Sequence, residues 1–246
     1  MNEPQTGTSP EPLDVIAVGS HPDDVEVACG GTLAKLAAAG HRVGIVDLTD
    51  GEPTPYSDGP EARMREADAA AEVLGAVARI QLDLPNRRLF DCFEHRIELA
   101  KVFRRYRPRI VIGFGDKTPM ASPDHFQTML ITDAAVFYSR LTKWDDYFDG
   151  LPVHKIQRQL YFRLAIEPMT LAGNPFHILV DIGETLEQKI ASMQCYHSQF
   201  AHKHAMDERI RAAAVMTGSI AGIAAAEAFA AARPFAAKDL ISAVGL

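Results

Sequence analysis

The stretch from Asp14 to Thr32 reads DVIAVGSHPDDVEVACGGT. It begins with a short apolar run, residues 15–18, which is followed by Gly19 and Ser20 and is typical of a buried strand in a parallel sheet. The run leads directly into the polar sequence His-Pro-Asp-Asp at 21–24. In open α/β sheets, ligands bind beyond the carboxyl ends of the strands. The sequence therefore predicts a functional site at the end of its first strand.

The spacing within this polar segment favours a metal ion. His21 and Asp24 are three residues apart, and Pro22 stiffens the turn between them, so an imidazole nitrogen and a carboxylate oxygen can face the same ion. Such a mixed set suits zinc, although it also accommodates another divalent transition metal. Asp23 lies between the two and is a candidate general base for a water beside the metal. The alternative is that the turn only caps the next helix, because Asp is a favourable N-cap residue.

The rest of the chain alternates between strand and helix patterns. Further strands are predicted at residues 42–48, 78–82 and 109–114, and helices at 27–39, 61–74 and 93–107. This order predicts a single Rossmann-like, doubly wound α/β domain over residues 13–246, with a mostly parallel sheet flanked by helices, after a flexible tail at 1–12. The less regular pattern after residue 155 predicts strands at 157–164 and 177–181, a loop at 167–175, and helices at 184–197 and 207–232.

A second polar segment follows the fourth predicted strand and ends in Ser-Pro-Asp-His at 122–125. In a doubly wound sheet the first and fourth strands are often neighbours across the switch point, which would bring His125 close to His21. A third protein ligand there completes a His/Asp/His site with a fourth position open for water. Asp124 could also cap the helix that follows, and the same loop can serve both purposes.

Together these motifs resemble those of the LmbE/PIG-L family of zinc-dependent N-deacetylases. The match lies in Ser-His-Pro-Asp-Asp-Val-Glu at 20–26, Gly-Gly-Thr-Leu-Ala at 30–34 and Pro-Asp-His at 123–125. The resemblance implies a zinc ion on His21, Asp24 and His125. It also implies that Asp23 is the general base and that Asp124 is the carboxylate beside the last ligand. Smaller motifs, such as Leu-Pro-Asn-Arg at 84–87, are most similar to the N-acetylglucosaminyl-malate deacetylase branch of bacillithiol synthesis.

The sequence departs from the family at Ser122, where these enzymes usually have a histidine that supports the tetrahedral intermediate or passes protons. A serine hydroxyl can still donate a hydrogen bond but cannot carry a positive charge near neutral pH. Glu52 and Arg63 are candidates to contact sugar hydroxyls or an acidic substituent at the pocket rim, and the alternative is a solvated loop and helix. His197 could face the pocket from a late helix or simply lie at the helix end.

The functional expectation is therefore a zinc-dependent hydrolase that removes the acetyl group from an N-acetylglucosaminyl small molecule, such as a GlcNAc-malate-like glycoside. The rival expectation is a catalytically weakened sugar-binding or regulatory member of the same fold, for which Ser122 is the motive. A dinucleotide-binding oxidoreductase is excluded because no Gly-x-Gly-x-x-Gly follows the first strand. Relatives in the family often assemble as trimers or hexamers, so we expect a homo-oligomer.

Composition narrows the class of protein further. The chain has 246 residues, of which 47% are hydrophobic, enough for one α/β domain with a substantial core. Its formal net charge of −7 argues against a nucleic-acid partner, which needs a basic face. Three widely spaced cysteines, and a sequence without signal-peptide or membrane-span patterns, predict a reduced, cytoplasmic protein with no membrane insertion.

Overall fold

The computed structural model describes residues 10–164 and 178–236. The predicted loop at 167–175, the first residue of the predicted strand at 177–181 and most of the predicted tail lie outside these ranges. The strands are Val15–Gly19 (β1), Val43–Asp47 (β2), Ala78–Gln81 (β3), Ile110–Phe114 (β4), Arg158–Phe162 (β5), Ile178–Asp181 (β6) and Ala226–Ala231 (β7). The helices are Asp24–Ala38 (α1), Pro60–Leu74 (α2), Phe93–Tyr106 (α3), Asp124–Tyr138 (α4), Leu186–Gln194 (α5), His197–Phe200 (α6) and Met206–Ser219 (α7), with a 3-10 turn at Asp145–Tyr147. Within the ranges described, no helix is long and apolar enough to cross a membrane.

The strands form one seven-stranded sheet in the order β3-β2-β1-β4-β5-β7-β6. The sheet is mostly parallel, as predicted: β1 pairs in parallel with β2 and β4, while β7 runs antiparallel to β5 and β6. Side chains of β1 alternate between two cores. Val15 and Ala17 join the core that includes residues of α1, α2 and α5, whereas Ile16 and Val18 join the core that includes residues of α3 and α4. Helices therefore cover both faces, which confirms the doubly wound class.

The late part of the chain differs from the sequence prediction. We expected one helix over residues 207–232, but α7 ends at Ser219 and the chain returns as strand β7. At Gly218 a β-carbon would come within 2.7 Å of the Ile223 carbonyl oxygen, so the chain can fold back closely there. Alanine favours helices in isolation, and this local propensity made the prediction wrong. Pairing of the alanine-rich segment with β5 and β6 decides the structure instead.

Helix α1 consists of two helical pieces that meet at Cys29, whose φ of −141° is not helical. The break frees the amides of Gly31 and Thr32, and both donate to the carboxylate of Glu227 in β7, at 3.0 and 2.7 Å. Glu227 therefore caps the second piece and complements its helix dipole. The ammonium group of Lys189 lies 2.5 Å from the same carboxylate in a buried ion pair. Through its bonds to Gly31 and Thr32, Glu227 ties the antiparallel part of the sheet to the helix that begins at the predicted functional site.

Replacing Glu227 with glutamine would leave the Lys189 charge buried without a counterion and weaken the cap within α1. Removal of one partner from a buried ion pair typically costs about 3–5 kcal/mol, so we expect a clearly lower urea midpoint of unfolding. The matched control is Glu187→Gln, which breaks the exposed pair with Arg211 and should leave the midpoint nearly unchanged. Equal midpoints for the two variants would contradict the capping role.

Candidate metal centre

The two sequence motifs meet at the carboxyl ends of β1 and β4, which are neighbours in the sheet. There His21, Asp24 and His125 each offer a ligand atom, and these atoms all lie within 4.8 Å of one another. Nε2 of His125 is 3.3 Å from Oδ1 of Asp24, and Nδ1 of His21 is 3.4 Å from its Oδ2. Two imidazoles and a carboxylate at these distances could hold a divalent metal ion. The predicted proximity of His125 to His21 is confirmed.

The Asp24 carboxylate is fixed by the backbone that precedes it. Asp24 is the first residue of α1, and its Oδ2 accepts hydrogen bonds from the amides of Ser20 and His21, both at 2.9 Å. Burial raises the pKa of this carboxyl, but the neighbouring His125 and His21 outweigh burial and hold the pKa well below its usual range. Asp24 is therefore ionised near neutral pH, as a metal ligand must be.

His21 carries a proton in the metal-free protein. Burial lowers the pKa of its imidazole, but the charge of Asp24 and hydrogen bonds to Asp124 and Asp24 outweigh burial and raise the pKa to about 10. A metal ion has to displace this proton before the imidazole can act as a ligand.

Each histidine is oriented by a hydrogen bond at its other ring nitrogen. Nε2 of His21 lies 3.3 Å from Oδ2 of Asp124, and Nδ1 of His125 lies 2.8 Å from the Thr118 hydroxyl. Such partners fix the ring orientation and the tautomer of a metal ligand. The ring of His125 also stacks on Phe114, with 4.6 Å between the ring centres. Sequence reasoning missed Thr118, because a loop threonine seven residues before a ligand carries no recognisable signal.

Asp23 stands between the two motif ligands but contacts a different partner. Its backbone φ of +120° is one that L residues rarely adopt, and its side chain makes no hydrogen bond that caps α1, contrary to the capping alternative. Instead, Nη2 of Arg63 lies 3.2 Å from its Oδ2 and also donates to the Pro22 carbonyl oxygen. Burial raises the pKa of Asp23 to about 6, against the lowering effect of Arg63. The carboxyl is thus ionised at neutral pH yet retains proton affinity, which suits a general base.

Arg63 lies beneath the centre rather than at the pocket rim, where the sequence led us to expect it. Its side chain is only 2% exposed, its guanidinium lies 5.4 Å from the centre of the Tyr196 ring, and Nη1 lies 3.4 Å from the Ser198 hydroxyl. A buried cation is tolerated here because the Asp23 carboxylate is in contact with it. The burial and the contact both indicate that Arg63 positions Asp23.

Ser122 binds a free amide at the start of α4. From the sequence, Asp124 was an alternative candidate to cap this helix. The Ser122 hydroxyl accepts a hydrogen bond from the Asp124 amide at 3.2 Å. The Asp124 carboxylate turns instead to His21, and it accepts the amide of Arg87 at 2.6 Å. Because a serine hydroxyl can accept and donate at once, the hydrogen of the Ser122 hydroxyl can still be donated to another group.

Glu52 adjoins the histidine turn, whereas His197 is an exposed residue of a later helix. Gly51 packs so closely on the histidine turn that a β-carbon there would lie 3.2 Å from Cδ of Pro22, which places Glu52 next to that turn. The Glu52 carboxylate accepts hydrogen bonds from the amide and hydroxyl of Thr54, at 2.8 and 3.0 Å. His197 is exposed at the start of α6 and lines a surface depression together with Lys203.

Glu26, in the first turn of α1, belongs to a buried network of charged residues. Glu26 is fully buried, and its Oε1 lies 2.5 Å from Nη1 of Arg79 and 2.9 Å from the Tyr196 hydroxyl. Arg79 also pairs with Asp47 at 2.7 Å, and burial raises the pKa of Asp47 to about 6 against the lowering effect of Arg79. Glu26 therefore holds the scaffold of the site together and does not belong to the His/Asp/His group.

Comparison with known proteins places this fold and site in a family. The family described as PIG-L: GlcNAc-PI de-N-acetylase matches residues 16–136, which contain the three candidate ligands. Diacetylchitobiose deacetylase of Thermococcus kodakarensis is 31% identical over 196 residues, which cover 76% of this chain and 70% of that protein. The class of protein is thus an N-deacetylase. This chain belongs to the PIG-L family.

Solved structures show the same architecture. A conserved protein of Thermus thermophilus is 32% identical, with a TM-score of 0.79 over 93% of this chain and 98% of that one. The 4-carboxy-2-hydroxymuconate hydratase of Pseudomonas putida is 23% identical, with a TM-score of 0.77 over 92% of this chain and 98% of that one. The similarity to the hydratase shows a shared fold and no more, since one fold can carry more than one chemistry.

We expect one divalent metal ion per chain in the purified protein and none in His125→Ala, because the loss of one of three protein ligands removes most of the affinity. The matched control is His41→Ala, which removes a partly exposed histidine beside Asp14, outside the group of ligands. Elemental analysis of the three proteins after dialysis measures the ion content. Equal metal content in His125→Ala and wild type would contradict the assignment of the centre.

Proposed function

We propose that this chain is a zinc-dependent hydrolase that removes the acetyl group from an N-acetylglucosaminyl small molecule, a GlcNAc-malate-like or related glycoside. The observation that carries the proposal is the group of His21, Asp24 and His125 with the carboxylate of Asp23 beside it. The names of the relatives support the sugar, since GlcNAc-PI and diacetylchitobiose both contain N-acetylglucosamine. The short motifs shared with the malate branch support the acidic aglycone.

The donor set of the centre supports zinc. Two imidazole nitrogens and one carboxylate oxygen form the three-ligand set that catalytic zinc sites use, with a further position open. Neutral imidazole and carboxylate donors suit zinc better than they suit a hard cation such as Mg²⁺, which prefers oxygen ligands. When bound, zinc would supply Lewis acidity at the amide carbonyl of the acetyl group.

Asp23 carries out the proton transfers. Its carboxylate takes a proton from the attacking water while a C–O bond forms at the acetyl carbon. The same carboxyl, now protonated, gives that proton to the amide nitrogen as the C–N bond breaks, which yields acetate and the free amino sugar. The contact with Arg63 keeps the carboxylate in place between the two transfers. Ser122 is the only feature that suggests a binding-only role, and the Asp23 carboxylate beside the candidate ligands favours turnover.

The first test of this function is Asp23→Asn. The amide keeps the shape of the side chain but cannot accept the proton of the water, so we expect the metal content to be unchanged and kcat to fall by about 10²–10⁴-fold. Asp68→Asn, on an exposed position of α2, is the matched control and should keep wild-type activity. Deacetylation of an N-acetylglucosaminide is measured through release of the free amine. Activity of Asp23→Asn within a few-fold of wild type would reduce Asp23 to a structural role.

A second test concerns Ser122. A histidine at this position could offer a charged donor to the developing oxyanion, and such a bond is stronger than one from a neutral hydroxyl. We therefore expect Ser122→His to raise kcat, by no more than the roughly 10²–10³-fold that one oxyanion donor contributes. Ser122→Ala should lower kcat, since it removes the donor that the wild type has. If Ser122→His is no faster and Ser122→Ala no slower, Ser122 only supports the start of α4.

A further inference from the structure

The loop after β3 places one arginine next to the candidate metal centre. The amide of Arg87 donates to Oδ2 of Asp124 at 2.6 Å, and the same oxygen lies 3.3 Å from Nε2 of His21. One carboxylate oxygen therefore links the main chain of Arg87 to a candidate ligand. The residue before it anchors the other side of the loop, because Nδ2 of Asn86 donates to the Glu52 carbonyl oxygen at 2.7 Å. The loop is held in place by the residues that surround the centre.

The backbone of Arg87 is held in an unfavourable conformation. Its φ of +60° lies in the left-handed region, where glycine is less strained than any residue with a side chain. The bond to Asp124 explains how this conformation is maintained, but it does not explain a long charged side chain at this position. Backbone outliers of this kind concentrate at ligand-binding sites. The side chain is exposed, and its guanidinium has no ion pair or hydrogen bond in the part of the chain that the structure describes.

The charges around the centre indicate on which side an anionic group of the substrate would bind. The carboxylates of Asp23, Asp24 and Asp124 and the guanidinium of Arg63 lie at the centre, and a divalent ion bound there would balance their charges. An anionic group on the substrate therefore gains no net attraction from the centre itself. On the side of the β2 loop it would meet Asp50 and Glu52, whereas on the side of the β3 loop it would meet Arg87. The charge pattern favours the β3 side for a negative group.

We propose that Arg87 forms an anion subsite at the rim of the metal centre, which binds the carboxylate of an acidic aglycone. The proposal rests on the proposed function, because it takes the acetylated sugar to lie at the metal. A guanidinium offers paired N–H donors that match a carboxylate. Lys203, close enough to act electrostatically on Asp23, adds a second cation near the centre. Arg87 thus takes the role that the sequence suggested for Arg63, whose burial removes it from the rim.

The test compares two glycosides that differ only in charge, the N-acetylglucosaminide of malate and the dimethyl ester of the same compound. Both are assayed with metal-loaded wild type, Arg87→Gln and Arg87→Lys. The matched control is Arg105→Gln, which removes an exposed arginine in the last turn of α3, just before the amino end of β4. This control separates a local contact from the effect of net charge. Metal content is measured for every variant.

We expect wild type to prefer the diacid and Arg87→Gln to lower kcat/KM for the diacid by about 10–100-fold, the range of a charge-assisted pair. The loss should appear mainly in KM, because the carboxylate is remote from the reacting amide and binds equally in the ground and transition states. The diester should change less than twofold, Arg87→Lys should recover part of the loss, and Arg105→Gln should behave as wild type. Higher salt should weaken the preference for the diacid.

An equal loss on both glycosides, or no loss on either, would overturn the subsite. If wild type hydrolyses neither compound, the proposed function fails, and calorimetric titration of the two glycosides into the metal-loaded protein then decides the subsite separately. Tighter binding of the diacid than of the diester, lost in Arg87→Gln and kept in Arg105→Gln, would support it. Equal binding of the two compounds would overturn it.

Discussion

The carboxylate of Asp24 is the contact on which the rest of the site depends. One of its oxygens is fixed by the amides of Ser20 and His21, and the other faces Nε2 of His125. The first contact belongs to the end of β1 and the second to the first turn of α4, so the carboxylate joins two segments about one hundred residues apart in sequence. It can do so only because β1 and β4 are adjacent in the sheet. The fold contributes this adjacency, and the short motifs contribute the chemistry.

Much of the parallel part of the sheet and all three candidate ligands could be predicted from the sequence. Apolar runs that end in polar segments mark buried strands, and the switch-point rule makes the first and fourth strands neighbours. Features that depend on distant contacts could not be predicted. The alanine-rich segment of β7 has a helical composition and becomes a strand because β5 and β6 flank it. The kink at Cys29 is stabilised by Glu227, roughly two hundred residues away, and no local pattern reveals it.

The burial of Arg63 shows the same limit for charged residues. Arginine on a helix near a polar motif indicates a solvated or substrate-binding position, and its true environment depends on where Asp23 and Tyr196 lie in space. Buried ion pairs recur throughout the scaffold, as in Glu26 with Arg79. A buried charge is costly unless it is paired, so each pair fixes the geometry of its partners. Rigid support of this kind is what a catalytic carboxylate needs.

The fold alone does not establish metal-dependent hydrolysis of an acetamido group, since a hydratase shares this architecture. The most direct measurement is release of acetate and free amine from an N-acetylglucosaminide by the purified chain, after chelation and again after zinc is restored. We expect acetate and amine in equal amounts, loss of both on chelation, and recovery of both when zinc is restored. Unchanged activity in the metal-free protein, or consumption of the glycoside without release of acetate, would contradict it.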